Sequence, residues 1–248
     1  ARRQEGFISV IAWFSLLGIA LGVATLIIVM SVMNGFREEL MSRILGINGH
    51  LSIYAQSESM TGFDDMAKKI RRLDGVVEVV PIIEGQVMAT ARKGASGAVI
   101  RGFRRDDLIA RSIVAENIKD GTLDDFNNDS IIIGTRLARK LGVSIGQNIT
   151  LISPKGNVTA FGVIPRMRKY KLAATFEIGM YEYDSGFIFM TLPAAQVYFK
   201  MPKAISNLEV SVVHPDKALV IGKNIPPLTD RPLRVHDWQR ANASFFNA

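Results

Sequence analysis

No charged side chain occurs between Glu5 and Arg37, and the residues from Phe7 to Met33 are apolar or small almost throughout. About 20 apolar residues in a helix cross the hydrocarbon core of a bilayer. This run is longer, so it spans with tilt or projects beyond the membrane. A cleaved signal peptide has a shorter apolar region that ends in a small-x-small site. No such site ends this run, and the hydrophobic pair of a twin-arginine signal does not closely follow Arg2-Arg3. Apolar side chains on all faces also disfavour a helix buried in a soluble domain. The segment reads as a retained transmembrane helix.

Gly18 and Gly22 stand at G-x-x-x-G spacing, with Ala20 and Ala24 beside them. Small residues let a second membrane helix approach closely, so this helix is expected to have partners. Arg2 and Arg3 before it favour a cytoplasmic N-terminus. After it, Asn34-Gly35-Phe36 is a place for a break or kink. Arg37, Glu38, Glu39 and Arg43 then alternate with Leu40, Met41, Ile44 and Leu45 at amphipathic helical spacing, and Gly46 ends the pattern. The picture is a stalk completed by residue 48. The chain lacks an initial methionine and stops after Phe245-Phe246-Asn247-Ala248, so it reads as a fragment at both ends.

Apolar residues make up 48% of the chain, and most of the excess falls before Asn34; the residues after it have the charge density of an ordinary globular domain. The formal charge is +7, but the basic residues lie scattered in twos and threes, as at Arg71-Arg72, Arg104-Arg105 and Arg166 to Lys171. Nucleic-acid binding needs them clustered with a recognisable motif, so no nucleic acid is expected. An acidic protein or anionic lipid suits a basic outer domain better. The chain has no cysteine, which excludes disulfide scaffolds and thiolate chemistry.

The remainder predicts an α+β domain over 49–236. Strands are expected over 50–55, 76–91 (one long or two short), 97–103, 131–133, 147–153, 171–178, 186–191, 207–213 and 232–236. Helices are expected over 64–73, capped by Thr61 or Asp64, and over 134–141, 193–199 and 215–224. Strand–helix–strand, then a mostly β stretch, then strand–helix–strand describes a domain split around a β-rich insertion at about 95–200. Residues 237–248 read as the start of a second stalk helix.

Chemistry is hard to find. His50, His214 and His236 lie far apart and in no metal-binding pattern, and there is no phosphate loop or nucleophile elbow. Asp124, Asp125 and Asp129 lack the alternating ligands and glycine of a calcium loop. Neither a catalytic residue nor a metal site is expected. The unusual stretch is 154–168. Pro154 and Pro165 bracket Val158, Phe161, Val163 and Ile164, and Arg166, Met167 and Arg168 come next. A stiff backbone, apolar anchors and a cationic rim make a protein-docking device; an ordinary hairpin with a stiffened tip is the alternative.

Several stretches resemble one family. Gly18 to Val23, then Ser31-Val32-Met33-Asn34-Gly35-Phe36 and Glu39-Leu40, resemble the first membrane helix of the LolC/LolE-type permeases of the bacterial lipoprotein-releasing ABC transporter. Leu73 to Val76 before Val80-Pro81-Ile82, Ile133-Gly134 before Leu137-Ala138 and Leu141-Gly142-Val143, and Gly179 to Asp184 before Ala194-Ala195-Gln196 continue the match, which ends with Trp238 and Phe245-Phe246. The Leu-Ala…Leu-Gly part is shared with MacB-like periplasmic domains.

The resemblance implies an inner-membrane protein whose main domain is periplasmic. Its transporter takes lipoproteins from the membrane and hands them to a soluble periplasmic carrier. A separate cytoplasmic ATPase subunit hydrolyses the ATP, so this chain is not an enzyme and holds no cofactor. A second permease subunit, identical or homologous, and membrane lipids complete the partners. The first membrane helix would line a cavity for acyl chains, at Met30, Met33 and Phe36. A proline-flanked hook (Pro154, Val158, Phe161, Val163, Ile164, Pro165) would hold the carrier, supported by a pad at Arg166, Met167 and Arg168. Thr150 stands at a pad position where the family has arginine. A MacB/FtsX-type efflux or mechanotransmission permease is the alternative.

Overall fold

The computed structural model describes residues 2–57, 59–159, 162–229 and 231–241. The chain divides into two units, Ala1–Ile44 and Leu45–Ala248. The first holds most of helix α1, Arg2–Ile47, which runs without interruption through Asn34-Gly35-Phe36. The expected break is therefore absent. A glycine costs a helix only about 1 kcal/mol, whereas an unpaired backbone group in hydrocarbon costs several. Ala12–Phe36 is long and apolar enough to cross a membrane, with none of it buried in the protein. The hydroxyl of Thr25 donates to the Leu21 carbonyl at 2.8 Å, which satisfies it within the helix.

The second unit contains β1 (Leu51–Ala55), β2 (Met60–Thr61), α2 (Phe63–Ile70), β3 (Val76–Ala91), β4 (Gly94–Phe103), α3 (Arg105–Ala110), α4 (Ser112–Ala115), β5 (Ile118–Gly121), β6 (Ser130–Gly134) and α5 (Thr135–Leu141). It continues with β7 (Asn148–Thr159), β8 (Gly162–Phe176), α6 (Tyr181–Gly186), β9 (Phe187–Thr191), α7 (Leu192–Phe199), β10 (Ala204–Ile205), β11 (Asn207–Val212), α8 (Ala218–Lys223), β12 (Leu233–Asp237) and α9 (Trp238–Ala241). The helix expected from 238 onward is seen as α9; 242–248 lie outside the described residues. The N-cap of α2 is neither Thr61 nor Asp64 but Gly62, at φ 64°, in the left-handed region that glycine enters cheaply.

The long strand β3 organises the unit by changing partners midway. Its first part, to Ile82, pairs with β11, which pairs with β1 and then β12. From Ile83 onward it pairs with β4. Helix α8 packs on the first part of the sheet: a Cβ at Gly222 would stand 3.1 Å from Val235 and 3.3 Å from Leu51. The second part closes on itself. β3 pairs β4, β4 pairs β9, β9 pairs β6, β6 pairs β8, β8 pairs β7, and β7 returns to β3. This ring is a small barrel whose interior is filled by side chains, among them Ala89, Ile100, Ile133, Ile149, Leu151 and Leu172, all buried. Closure leaves the ring with no free edge.

The core joins the two parts. Val80, Ile82, Phe103, Leu108, Phe126, Phe176 and Phe189 form one cluster that also takes in Ile47, in the last turn of α1. The rings of Phe176 and Phe189 stand 5.0 Å apart. Polar groups sit directly on this cluster. The guanidinium carbons of Arg101 and Arg111 lie 5.1 and 5.0 Å from the Phe103 ring. Both arginines donate to the Ile47 carbonyl, an acceptor that the helix end leaves unpaired. Both also pair with the buried Glu209 carboxylate, and Oε2 of Glu209 accepts the Gly49 N–H at 3.2 Å. Asn48 donates to the Tyr183 hydroxyl at 2.7 Å. Burial pulls the Arg111 guanidinium below its ordinary value, and Glu209 opposes that shift.

Candidate functional site

The proline-bracketed segment is a hairpin made by β7 and β8. Six pairs, from Asn148↔Lys171 to Ser153↔Arg166, hold it to the barrel in regular register. The register then shifts, and pairing resumes at Asn157↔Ile164, Val158↔Val163 and Thr159↔Gly162. Pro154, Lys155 and Gly156 thus face the single residue Pro165. Proline has no N–H to give to a ladder, so two prolines at this level force the interruption. The outer hairpin therefore starts afresh beyond the barrel wall. Pro154, Ile164 and Pro165 are exposed, Ile164 by 56%. Val158 and Val163 are direct cross-strand partners. Phe161 lies outside the described residues.

Side chains alternate across a strand, and this separates the three expected pad residues. Arg166 and Arg168 share a face with Tyr170, which is buried. Arg166 donates to the Tyr198 carbonyl at 3.0 Å. Arg168 pairs with Asp129 at 3.2 Å and lies over the Tyr170 ring at 5.2 Å. Burial pushes the neighbouring Tyr198 hydroxyl up to about 12. Met167 points the other way, outward from the barrel, and is 65% exposed. Directly across the strands stand Ile152, opposite Met167, and Met88, opposite Ile152. The next rung is Thr90, Thr150 and Lys169. The Thr150 position thus lies on the outer face with Met167 and not with the arginines. Met88 and Ile152 stand beside Met167 only because β3 pairs with β7, a neighbourhood not legible in the local sequence. The one local signal is the exposed position of an apolar Met88 in an alternating strand.

A cleft of about 550 Å³ opens on this outer face, lined by Met88, Val99, Ile152, Pro154, Pro165 and Phe187 among others. Its walls are mostly apolar, and the hairpin prolines form one side.

Met30, Met33 and Phe36 succeed one another at three-residue steps on α1, each about 60% exposed. Among the described residues, no group of three or more His, Cys, Asp or Glu could hold a metal ion. His50 accepts the Val212 N–H, His214 precedes a 3-10 turn, and His236 lies against Tyr54 with ring centroids 5.4 Å apart. Asp106 and Asp107 occupy the first turn of α3, where carboxylates suit the helix dipole.

One long apolar helix leading into a split sheet with an inserted barrel sets the class of fold, and solved domains share the part that follows the helix. The extracellular domain of the noncanonic ABC-type transporter YknZ from Gram-positive bacteria superimposes with a TM-score of 0.52 at 16% identity, over 77% of this chain and 100% of that one. The periplasmic region of MacB from Actinobacillus actinomycetemcomitans gives 0.52 at 11% identity, over 85% and 99%. The family model of the MacB-like periplasmic core domain matches residues 12–219, and the chain belongs to that family. Within it, the chain is 29% identical to the lipoprotein-releasing system transmembrane protein LolC of Neisseria meningitidis, over 100% of this chain and 60% of that protein. It is 23% identical to LolE of Haemophilus influenzae over 96% and 58%. The chain thus spans about three-fifths of the length of these relatives.

Proposed function

We propose that this chain is part of a permease subunit of an ABC transporter that releases lipoproteins from the inner membrane and passes them to a soluble periplasmic carrier. The observation that carries the reading is the hairpin beyond Pro154 and Pro165. It is stiffened at its root, stands outside the barrel ladder, and belongs to a chain that resembles LolC along its whole length. In this reading the hairpin holds the carrier, and Met30, Met33 and Phe36 face the acyl chains of the cargo. ATP is hydrolysed by a separate cytoplasmic subunit, and a second permease, identical or homologous, completes the membrane part.

The test is carrier capture by the intact transporter. Phe161→Asp, or deletion of 155–164, abolishes capture and leaves the melting temperature of the outer domain unchanged. Undiminished capture by both variants removes the assignment. An efflux or mechanotransmission role, as in the MacB/FtsX type, would be supported instead by coupling to an outer-membrane channel or a cell-wall hydrolase.

A further inference from the structure

We infer that the second unit carries a further binding site, a cationic cleft for a phosphate monoester, at the end of the barrel away from the hairpin. The cleft has a volume of about 970 Å³. Arg92 and Lys93 come to it from the turn between β3 and β4, Lys119 and Asp120 from β5, Arg139 from α5, and Glu177 from just after β8. Four cations against two carboxylates leave a net charge of +2. These elements are far apart in sequence, so the cluster exists only in the fold. Thr175, which also lines the cleft, lies along β8 from Arg166 by about 30 Å of strand. The cleft is therefore no part of the surface around Pro154 and Pro165.

The cations are gathered but not neutralised. Arg92, Lys93 and Lys119 are exposed and have no ion-pair partner among the described residues. Arg139 reaches Glu177 only at 3.9 Å and stays 69% exposed. Asp120 accepts the Thr175 hydroxyl at 3.0 Å. Lys140, beside Arg139, donates to Ser96 at 2.9 Å and stands outside the cleft. Lys93 is held in place. Its N–H donates to the Leu141 carbonyl at 3.0 Å, and its stem lies across Gly142, where a Cβ would stand 2.4 Å from it. Glycine at 142 thus serves the left-handed turn, at φ 67°, and also makes room for this lysine. A cleft lined by one sign of charge focuses its potential on a counter-ion. A phosphate monoester brings about −1.5 to −2 charges at neutral pH, a match for this cleft, whereas one carboxylate brings half as much. Its oxygens also accept from several donors at once, with a planar guanidinium among them. Ala138, Val143 and Ile145 line the cleft as well and suit the carbon-bearing remainder of an ester. The monoester could be a soluble metabolite or the headgroup of a phospholipid.

The experiment uses the full-length protein in lipid nanodiscs. The chain has no cysteine, so Ala95→Cys, exposed beside the β3–β4 turn, takes a fluorophore at one position. One arm titrates glycerol 3-phosphate into phosphatidylcholine nanodiscs, and the other replaces part of the lipid with phosphatidic acid. A saturable change in the first arm supports a soluble ester as the ligand; a change in the second arm alone supports the lipid headgroup. In whichever arm responds, Arg92→Glu with Lys93→Glu is expected to weaken binding about tenfold or more. Lys119→Glu should weaken it from a separate strand, and added salt should weaken it in the parent. Lys68→Glu, the same change of charge on α2, should bind like the parent. The altered positions are exposed and lie on separate elements, so misfolding of one variant does not decide the outcome. No change in either arm overturns the site. Parental binding by both cleft variants does so too, as does equal weakening by Lys68→Glu. Saturation by an oligoglutamate peptide at a lower concentration than by either phosphate probe overturns the phosphate assignment.

Discussion

Arg101 and Glu209 form an ion pair in which both side chains are almost wholly buried, 108 positions apart in the chain. The same carboxylate holds Arg111, and both arginines cap the last turn of α1 at the Ile47 carbonyl. Burying charge is costly, and breaking a buried pair by removing one partner costs about 3–5 kcal/mol.

Glu209→Gln should therefore lower the unfolding free energy by about 3–5 kcal/mol, because two buried guanidinium groups lose the carboxylate they share and Arg101 is left with the half-exposed Glu84. Replacing the set with apolar residues, as in Arg101→Met with Arg111→Met and Glu209→Leu, should recover much of the loss. Urea unfolding followed by tryptophan fluorescence checks both, since Trp238 is buried in this unit. A Glu209→Gln variant as stable as the parent would show that the carboxylate is not needed as an anion.

Gly85 faces Phe199, where an added Cβ would lie 2.5 Å from the ring. Gly85→Ala is expected to cost about 1–3 kcal/mol through overpacking. Phe199→Leu, which trims the opposing ring, should restore part of it. A double-mutant cycle by thermal melting gives the coupling; strict additivity of the two changes would disprove the contact.

His50 is held below the ordinary imidazole value of 6.5 by burial. Its Nδ1 accepts the Val212 N–H at 2.8 Å, a bond lost when that nitrogen is protonated. As pH falls through the ordinary value, the unfolded chain takes up the proton before the folded one does. The contribution of His50 is thus present above that value and lost as pH falls toward the lower folded one. Between about pH 7.5 and 5.5, the parent should lose more melting temperature than His50→Gln, which keeps an acceptor but cannot titrate. Equal losses in the two proteins would remove His50 as the cause.

Local pattern made much of the fold readable. Ile131-Ile132-Ile133, bounded by Gly134, is the buried strand β6, and the left-handed Gly142 ends α5 where expected. The β-branched run from Val76 is one strand, β3. The region 105–121 was not legible: α3, α4 and β5 are too short to show a period. Barrel closure was not legible either, because it depends on three pairs between β3 and β7, some 60 residues apart. Of the proposed docking hairpin, the two prolines announced themselves. The methionine at 88 did not, and the clustering of Arg166 to Arg168 in sequence concealed that strand alternation sends Met167 to the opposite face.

The interruption at Pro154 and Pro165 makes the hairpin exchangeable. All six inner pairs of β7 and β8 close before it, so among the described residues the ladder that joins these strands in the barrel does not run through the stretch between Ser153 and Arg166. A loop of another length or composition could be grafted at this junction without disturbing the scaffold. The barrel then serves as a socket, and a new plug does not require a new fold.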